Sequence, residues 1–189
     1  KLWISKKFLQ IKKELFSNNN LTIVPVSQWM TDFIQDSFLN NKNIQLIHNG
    51  IDLNIFKPLP CKKEKEKFKI LAVSNVWHRS KGLYDLFKLR EILPEEYEII
   101  MVGLSENQVK QLPAGIYGIK RTQSIQELIN LYSNADVFIN PTYADTFPTV
   151  NIEALACGTP IITYKTGGSP EAIDEKTGIV VEQGNVIAL

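Results

Sequence analysis

Residues 136–164 read DVFINPTYADTFPTVNIEALACGTPIITY. Two short apolar runs, 136–140 and 160–164, flank a segment that opens at Pro148 and closes at Gly158, with Pro160 just beyond. Proline suits the first helical position because the amide it lacks would have no partner there, and a glycine followed by a proline ends a helix. The stretch therefore reads as strand, long loop, helix and second strand. Ala154, Leu155, Ala156 and Cys157 are small or apolar, as close packing on a sheet requires. Two strands joined by a crossover helix within one sheet lie parallel with a right-handed connection, which sets an α/β class.

Working outward, the same alternation recurs. Strand-like runs fall at 68–74 (FKILAVS), 97–102 (YEIIMV), 116–119 and 178–182 (GIVVE), with helical segments at about 81–93, 105–111, 124–133, 148–157 and 169–174. Six strands alternating with helices predict a doubly wound parallel sheet of Rossmann-like type, ordered 3-2-1-4-5-6. In such a sheet the ligand crevice opens at the C-terminal ends of the first and fourth strands. Geometry thus nominates two loops, 75–82 and 141–148, with 165–169 beside them.

Upstream, residues 1–17 place Ile4, Phe8, Ile11 and Leu15 on one helical face. A core-facing helix of an upstream region is the favoured expectation, and a membrane-surface helix the other. Residues 21–26 read as a strand, Ser27 as the cap of a helix running to about Phe38, and 44–47 as a short strand ending in the turn His48-Asn49-Gly50. Pro58, Pro60 and the run KKEKEK from Lys62 to Lys67 have linker composition. The expected division is 1–54, a linker at 55–67, and a domain at 68–189. Because the chain opens on Lys1 and closes at Leu189 as a further helix begins, it is expected to be part of a longer protein.

Composition narrows the function classes. Lys and Arg number 21 against 20 Asp and Glu, a net charge of +1, which speaks against a dedicated nucleic-acid binder. No run of eighteen apolar residues would span a bilayer, and Lys interrupts the N-terminal segment too often for a signal peptide. Cys61 and Cys157 lie in unlike surroundings, so no bridge and a reducing, cytoplasmic setting are expected. His48, His78 and the two cysteines lack metal-ligand spacing, and His78 reads as loop packing. The three-glycine dinucleotide fingerprint, the GxxxxGK[ST] phosphate loop and the G-x-S-x-G elbow are all missing.

The nominated loops hold the residues hardest to explain as packing. Lys81 stands where a helix begins, and a cation there opposes the helix dipole unless an anion lies between them; otherwise it is a solvated lysine. Glu153 interrupts an apolar helix. A carboxylate can accept two hydrogen bonds from a ribose diol, or merely complement a helix N-terminus. Asp145, eight positions earlier, sits at the crevice mouth or is an ordinary turn residue. Gly167 and Gly168 offer bare amides to a sugar or phosphate, or form a tight turn into a helix capped by Ser169.

Four blocks in order resemble the retaining glycosyltransferases of the GT-B fold, in the large group 1 family with an E-x7-E motif. TFPTVNIEALACGTPIITYKTGGSPEAI is similar to that family's E-G-F-G…EAMACGTPVI…GG-PE block. Asn49-Gly50-Ile51-Asp52 with Phe56-Lys57-Pro58 resembles its N-G-V-D…F-x-P entry, AVSNVWHRSKG its G-R…KG loop, and LYSNADVFINPT its LY-x-x-AD-x-F-x-x-PS segment.

The resemblance implies a donor-binding half that follows the tail of an acceptor domain, which ends near residue 54. Lys81 would contact the donor diphosphate, and Glu153 would hold its ribose. Asp145 would stand for the first Glu of the motif, near the transferred sugar. The amides of Thr149 and Val150 would face the phosphates, Phe147, Gly167 and Gly168 would line the donor site, and Gly118 to Arg121 would border the base. Two departures stand out. Asn75 replaces the family's basic residue, which leaves phosphate binding to Lys81 or to Arg79, and Asp145 is one methylene shorter than Glu. The resemblance further implies sugar transfer with retention in polysaccharide or glycolipid assembly, without a metal or other cofactor. The acceptor, a saccharide or a lipid-linked one, would bind through the upstream domain. The expected location is cytoplasmic, with peripheral contact at the inner membrane face as an option. A sugar-nucleotide epimerase of the same architecture and a non-catalytic nucleotide-sugar-binding module are the alternatives.

Overall fold

The computed structural model describes residues 2–17, 19–60 and 67–189. The chain divides into two compact units, Lys1–Asn49 and Gly50–Leu189. In the first unit, helix α1 (Leu2–Ser17) leads to strand β1 (Thr22–Ile23), helix α2 (Gln28–Gln35) and strand β2 (Asn43–Ile44). The Ser27 hydroxyl caps α2 by accepting from the Met30 amide at 3.1 Å. β1 and β2 pair in parallel, and both are shorter than their apolar runs. Pro25 accepts from the Ile47 amide but has no N–H to return, so the regular ladder stops there. Phe8, Ile11 and Leu15 of α1 are exposed, as are the stacked rings of Trp29 and Phe33 on α2. The Ile4 side chain lies outside the described residues.

The second unit carries β3 (Phe68–Val73), a 3-10 turn at Arg79–Lys81, α3 (Leu83–Ile92), β4 (Tyr97–Val102), α4 (Glu106–Lys110) and β5 (Ile116–Ile119). It continues with α5 (Ile125–Asn134), β6 (Val137–Asn140), α6 (Thr149–Ala156), β7 (Ile161–Tyr164), a 3-10 turn at Ser169–Ala172, and β8 (Gly178–Val181). The strands form one sheet in the order β5-β4-β3-β6-β7-β8, which is the predicted order. Every pairing is parallel, and β3 meets β6 through Ile70↔Val137 and Leu71↔Phe138. The segment expected as a helix at 169–174 is only a 3-10 turn, because Ile173 is already extended (φ −124, ψ 135).

The central strands are mostly apolar because both faces are covered. Ile70, Ala72, Ile99 and Met101 pack with Leu83, Leu86 and Leu89 of α3 on one face. On the other, Leu71, Phe138 and Ile161 pack with Ile129 and Tyr132 of α5 and with Ala154 and Cys157 of α6. Successive strand residues point to opposite faces, and this alternation assigns each one to its layer.

Residues 50–60 belong to the second unit. Phe56 and Leu59 pack on its α5–α6 layer, and the Leu59 amide donates to the Ser133 hydroxyl at 3.1 Å. The front of the segment read as linker is thus fastened to this core. Cys61 and most of the KKEKEK run, residues 61–66, lie outside the described residues. Cys157 is a buried thiol. No helix among the described residues is long and apolar enough to cross a membrane.

Candidate active site

Two glycines bring the nominated loops together at the C-terminal ends of β3 and β6. Gly82 has φ +76, and a Cβ built on it would lie 2.3 Å from the Pro141 carbonyl oxygen. Only glycine lets the 79–81 turn pass this close to the chain leaving β6. The Ser80 carbonyl then accepts from the Tyr143 amide at 2.8 Å. From the other side, Gly167 (φ +52) would place a Cβ 1.9 Å from the Asp145 carbonyl oxygen, which accepts from the Gly168 amide at 3.1 Å. Asp145 and Lys81 are therefore carried on braced backbone, and Lys81 Nζ lies 2.7 Å from Asp145 Oδ2.

This pair sits in a crevice of about 360 Å3 walled by Asn75, His78, Phe147 and the first turn of α6. Pro148 precedes that helix and supplies no side-chain cap. The amides of Thr149 and Val150, being first in the helix, have no intrahelical acceptor. A fixed ammonium and a helix N-terminus on one small crevice make a site for an anion. Trp77, buried, fastens the loop: its Nε1 donates to the Val102 carbonyl at 2.8 Å, and Gln108 of α4 donates to the Trp77 carbonyl at 2.8 Å. His78, expected as packing, lines the crevice, with Nδ1 2.8 Å from the Ser80 hydroxyl.

A second crevice of about 350 Å3 shares Val73, Ser74 and Asn75 with the first and extends to Gly103, Lys120, Arg121 and Leu128. Asn75 thus joins the two. Gly118 borders neither. A Cβ there would meet Leu112 at 2.5 Å and Leu104 at 3.0 Å, so it is a packing glycine beneath α4. Arg79 lines a different hollow, of about 580 Å3, with Tyr84, Asp85, Lys88 and Tyr143. It is not among the residues that wall the crevice of Lys81 and Asp145. The Gly168 amide is already committed to Asp145, which makes the glycine pair a tight turn rather than two free donors.

Glu153 lies one turn into α6, off the wall of either crevice. Its Oε2 accepts from the buried Tyr132 hydroxyl at 3.0 Å. Burial raises its pKa above 4.5 despite hydrogen bonds from Tyr132 and Thr149 that pull the other way. Desolvation outweighs those bonds, so burial disfavours the charged carboxylate here.

Two polar networks escaped the sequence reading. Asn151 accepts from Asn140 at 2.8 Å and donates to the carbonyl and hydroxyl of Ser169, both at 3.2 Å, while the Thr163 hydroxyl reaches the Asn140 carbonyl at 2.8 Å. These fully or nearly buried groups pin the start of α6 to β6 and β7. A signal was available, since Asn151 stands in an otherwise apolar helix face. Asp85 Oδ2 accepts from Tyr143 at 2.7 Å and Tyr164 at 3.0 Å, tying α3 to the site loops. Burial, then the Asp85 carboxylate, pushes the Tyr164 hydroxyl far up. No group of three or more His, Cys, Asp or Glu among the described residues is arranged to hold a metal.

A parallel sheet of this order, with a crevice at its switch point, defines a Rossmann-type domain. Solved structures share it. Sucrose-phosphate synthase from Thermosynechococcus elongatus superposes with a TM-score of 0.80 at 24% identity, covering 97% of this chain and 50% of that one. Anabaena Alr3699/HepE in complex with UDP-glucose superposes with a TM-score of 0.74 at 19% identity, over 96% and 55%. These likenesses, each over about half of the solved chain, place the fold as one half of the GT-B type. The chain belongs to the Glycosyl transferases group 1 family, whose profile matches residues 67–189. It is 27% identical to D-inositol 3-phosphate glycosyltransferase of Corynebacterium jeikeium, over 90% of this chain and 47% of that protein. It is also 27% identical to the sulfoquinovosyl transferase SQD2 of Arabidopsis thaliana, over 97% and 39%. The chain spans less than half the length of these relatives.

Proposed function

We propose that this chain is the donor-binding half of a retaining glycosyltransferase, taking a nucleotide-diphosphate sugar for polysaccharide or glycolipid assembly. The carrying observation is Lys81 held beside the uncapped N-terminus of α6 in one crevice. The diphosphate lies between them. As the bond from the anomeric carbon to the phosphate oxygen breaks, its electron pair goes to the diphosphate. Lys81 and the α6 amides meet that charge where it develops, in place of a metal. The adjoining crevice, with Asn75 and Arg121, takes the nucleoside. Glu153 lines neither crevice as the chain stands, so its assignment to the ribose rests on the family resemblance, with which a carboxylate kept at a desolvation cost accords. The named relatives are transferases, which favours transfer over epimerisation.

Acceptor binding belongs to the partner half of the fold, so this chain binds donor and transfers nothing alone. The test is a melting panel with UDP, GDP, ADP and their glucose esters, each run in EDTA and again with magnesium. A ligand at a hundred times its dissociation constant adds about 2.7 kcal/mol, or about 5–10 °C for a chain of this size. No shift with any of them contradicts the reading, and a shift that needs a divalent cation contradicts its metal-free part. Sugar transfer by this chain at ordinary enzyme rates would refute its status as half a site.

A further inference from the structure

Lys81 and Asp145 are both assigned to the donor, yet they hold each other. Their contact is 2.7 Å, with side chains 30% and 19% exposed. Neither backbone is free to retreat: Gly82 is wedged against Pro141, and the Asp145 carbonyl is held by the Gly167-Gly168 turn. Lys81 is the hydrogen-bond partner of the Asp145 carboxylate, and among the described residues it has no second one. A diphosphate entering beside Lys81 draws on the same ammonium. The carboxylate is then left next to a second anion with its partner engaged elsewhere, which like-charge repulsion penalises. A donor that carries a sugar brings hydroxyl groups on the far side of the diphosphate that can donate to this carboxylate, whereas a free nucleoside diphosphate has only its ribose hydroxyls, which the reading above assigns to the nucleoside side of the site.

We infer that Asp145 is a specificity-determining residue that selects sugar-loaded donor over free nucleoside diphosphate through competition for Lys81. This rests on the donor-binding reading above. With donor bound, Lys81 turns to the diphosphate and the released carboxylate accepts from a sugar hydroxyl. After the sugar leaves, the carboxylate reclaims Lys81 and favours release of the diphosphate. The shorter Asp, where the family pattern has Glu, fits this role because its carboxylate stays beside the loop that carries it.

Calorimetric titration of the chain and of Asp145→Asn tests the inference, with UDP against UDP-glucose and GDP against GDP-mannose. The neutral amide competes only weakly for Lys81, so the substitution tightens the nucleoside diphosphate by up to about fivefold. It also shrinks the preference for the sugar-bearing partner. Asp145→Ala gives the same sign and serves if the amide variant does not fold. Nucleoside diphosphate affinity that is unchanged or weakened in both variants overturns the inference and leaves donor binding standing. Absence of any nucleotide binding to the unaltered chain overturns the donor-binding reading and this inference with it.

Discussion

At the scale of single residues, Glu153 and Lys81 are charged for opposite reasons. Lys81 has its counter-ion at 2.7 Å, while Glu153 has no cation beside it among the described residues and is hydrogen-bonded by Tyr132 and Thr149 in a partly buried place. Its folded pKa lies above the ordinary 4.5, so ionisation opposes folding. That stability is fully present below the unfolded value and is lost as pH rises through the folded one. Glu153→Gln never ionises and still accepts from Tyr132. The variant should melt at or above the parent at pH 7, with the gap closing as pH falls toward 4.5. If Glu153 also holds a ribose diol, nucleotide-sugar affinity drops about tenfold, since charged acceptors bind hydroxyls by about 1 kcal/mol more each. Unchanged affinity removes it from the site. Its residue type and spacing were legible in the sequence. Its burial against Tyr132, twenty-one positions upstream, was not, because no local pattern records which polar group faces inward.

At the scale of elements, the site is made by turns more than by helices. Apolar runs and capping residues located every strand of the sheet, and Ser105 and Ser124 cap α4 and α5 in the structure. Sequence pattern could not show that Gly82 abuts Pro141, or that Asn140, Asn151 and Ser169 meet at the start of α6. Those contacts join segments far apart in the chain and follow from sheet order rather than periodicity. Gly82→Ala sets a side chain at positive φ and 2.3 Å from a carbonyl, and should cost more than about 1 kcal/mol, or about 2–4 °C in melting temperature. Gly50→Ala, with nothing within 4 Å of the new Cβ, is the control and should leave melting unchanged. Equal melting of the two variants would remove the close approach from the account. The 55–60 segment teaches the same point: proline and charge suggested a linker, yet Phe56 and Leu59 found a hydrophobic seat on α5 and α6.

At the scale of the whole molecule, one sheet with two covered faces presents its crevice at the reversal between β3 and β6, where strand order alone put it. What the sequence left open was which side chains reach that crevice. Arg79 and Gly118, which the resemblance suggested, are not on its wall, whereas His78 lines it unannounced. The central claim is that a diphosphate binds between Lys81 and the start of α6. It is tested most directly by titrating the tightest nucleoside diphosphate from the melting panel into the chain and into Lys81→Ala by calorimetry. Loss of a charge-assisted contact of about 1.5–3 kcal/mol predicts an affinity at least about tenfold weaker in the variant, with its fold intact by melting. A dissociation constant equal to that of the parent would contradict the account.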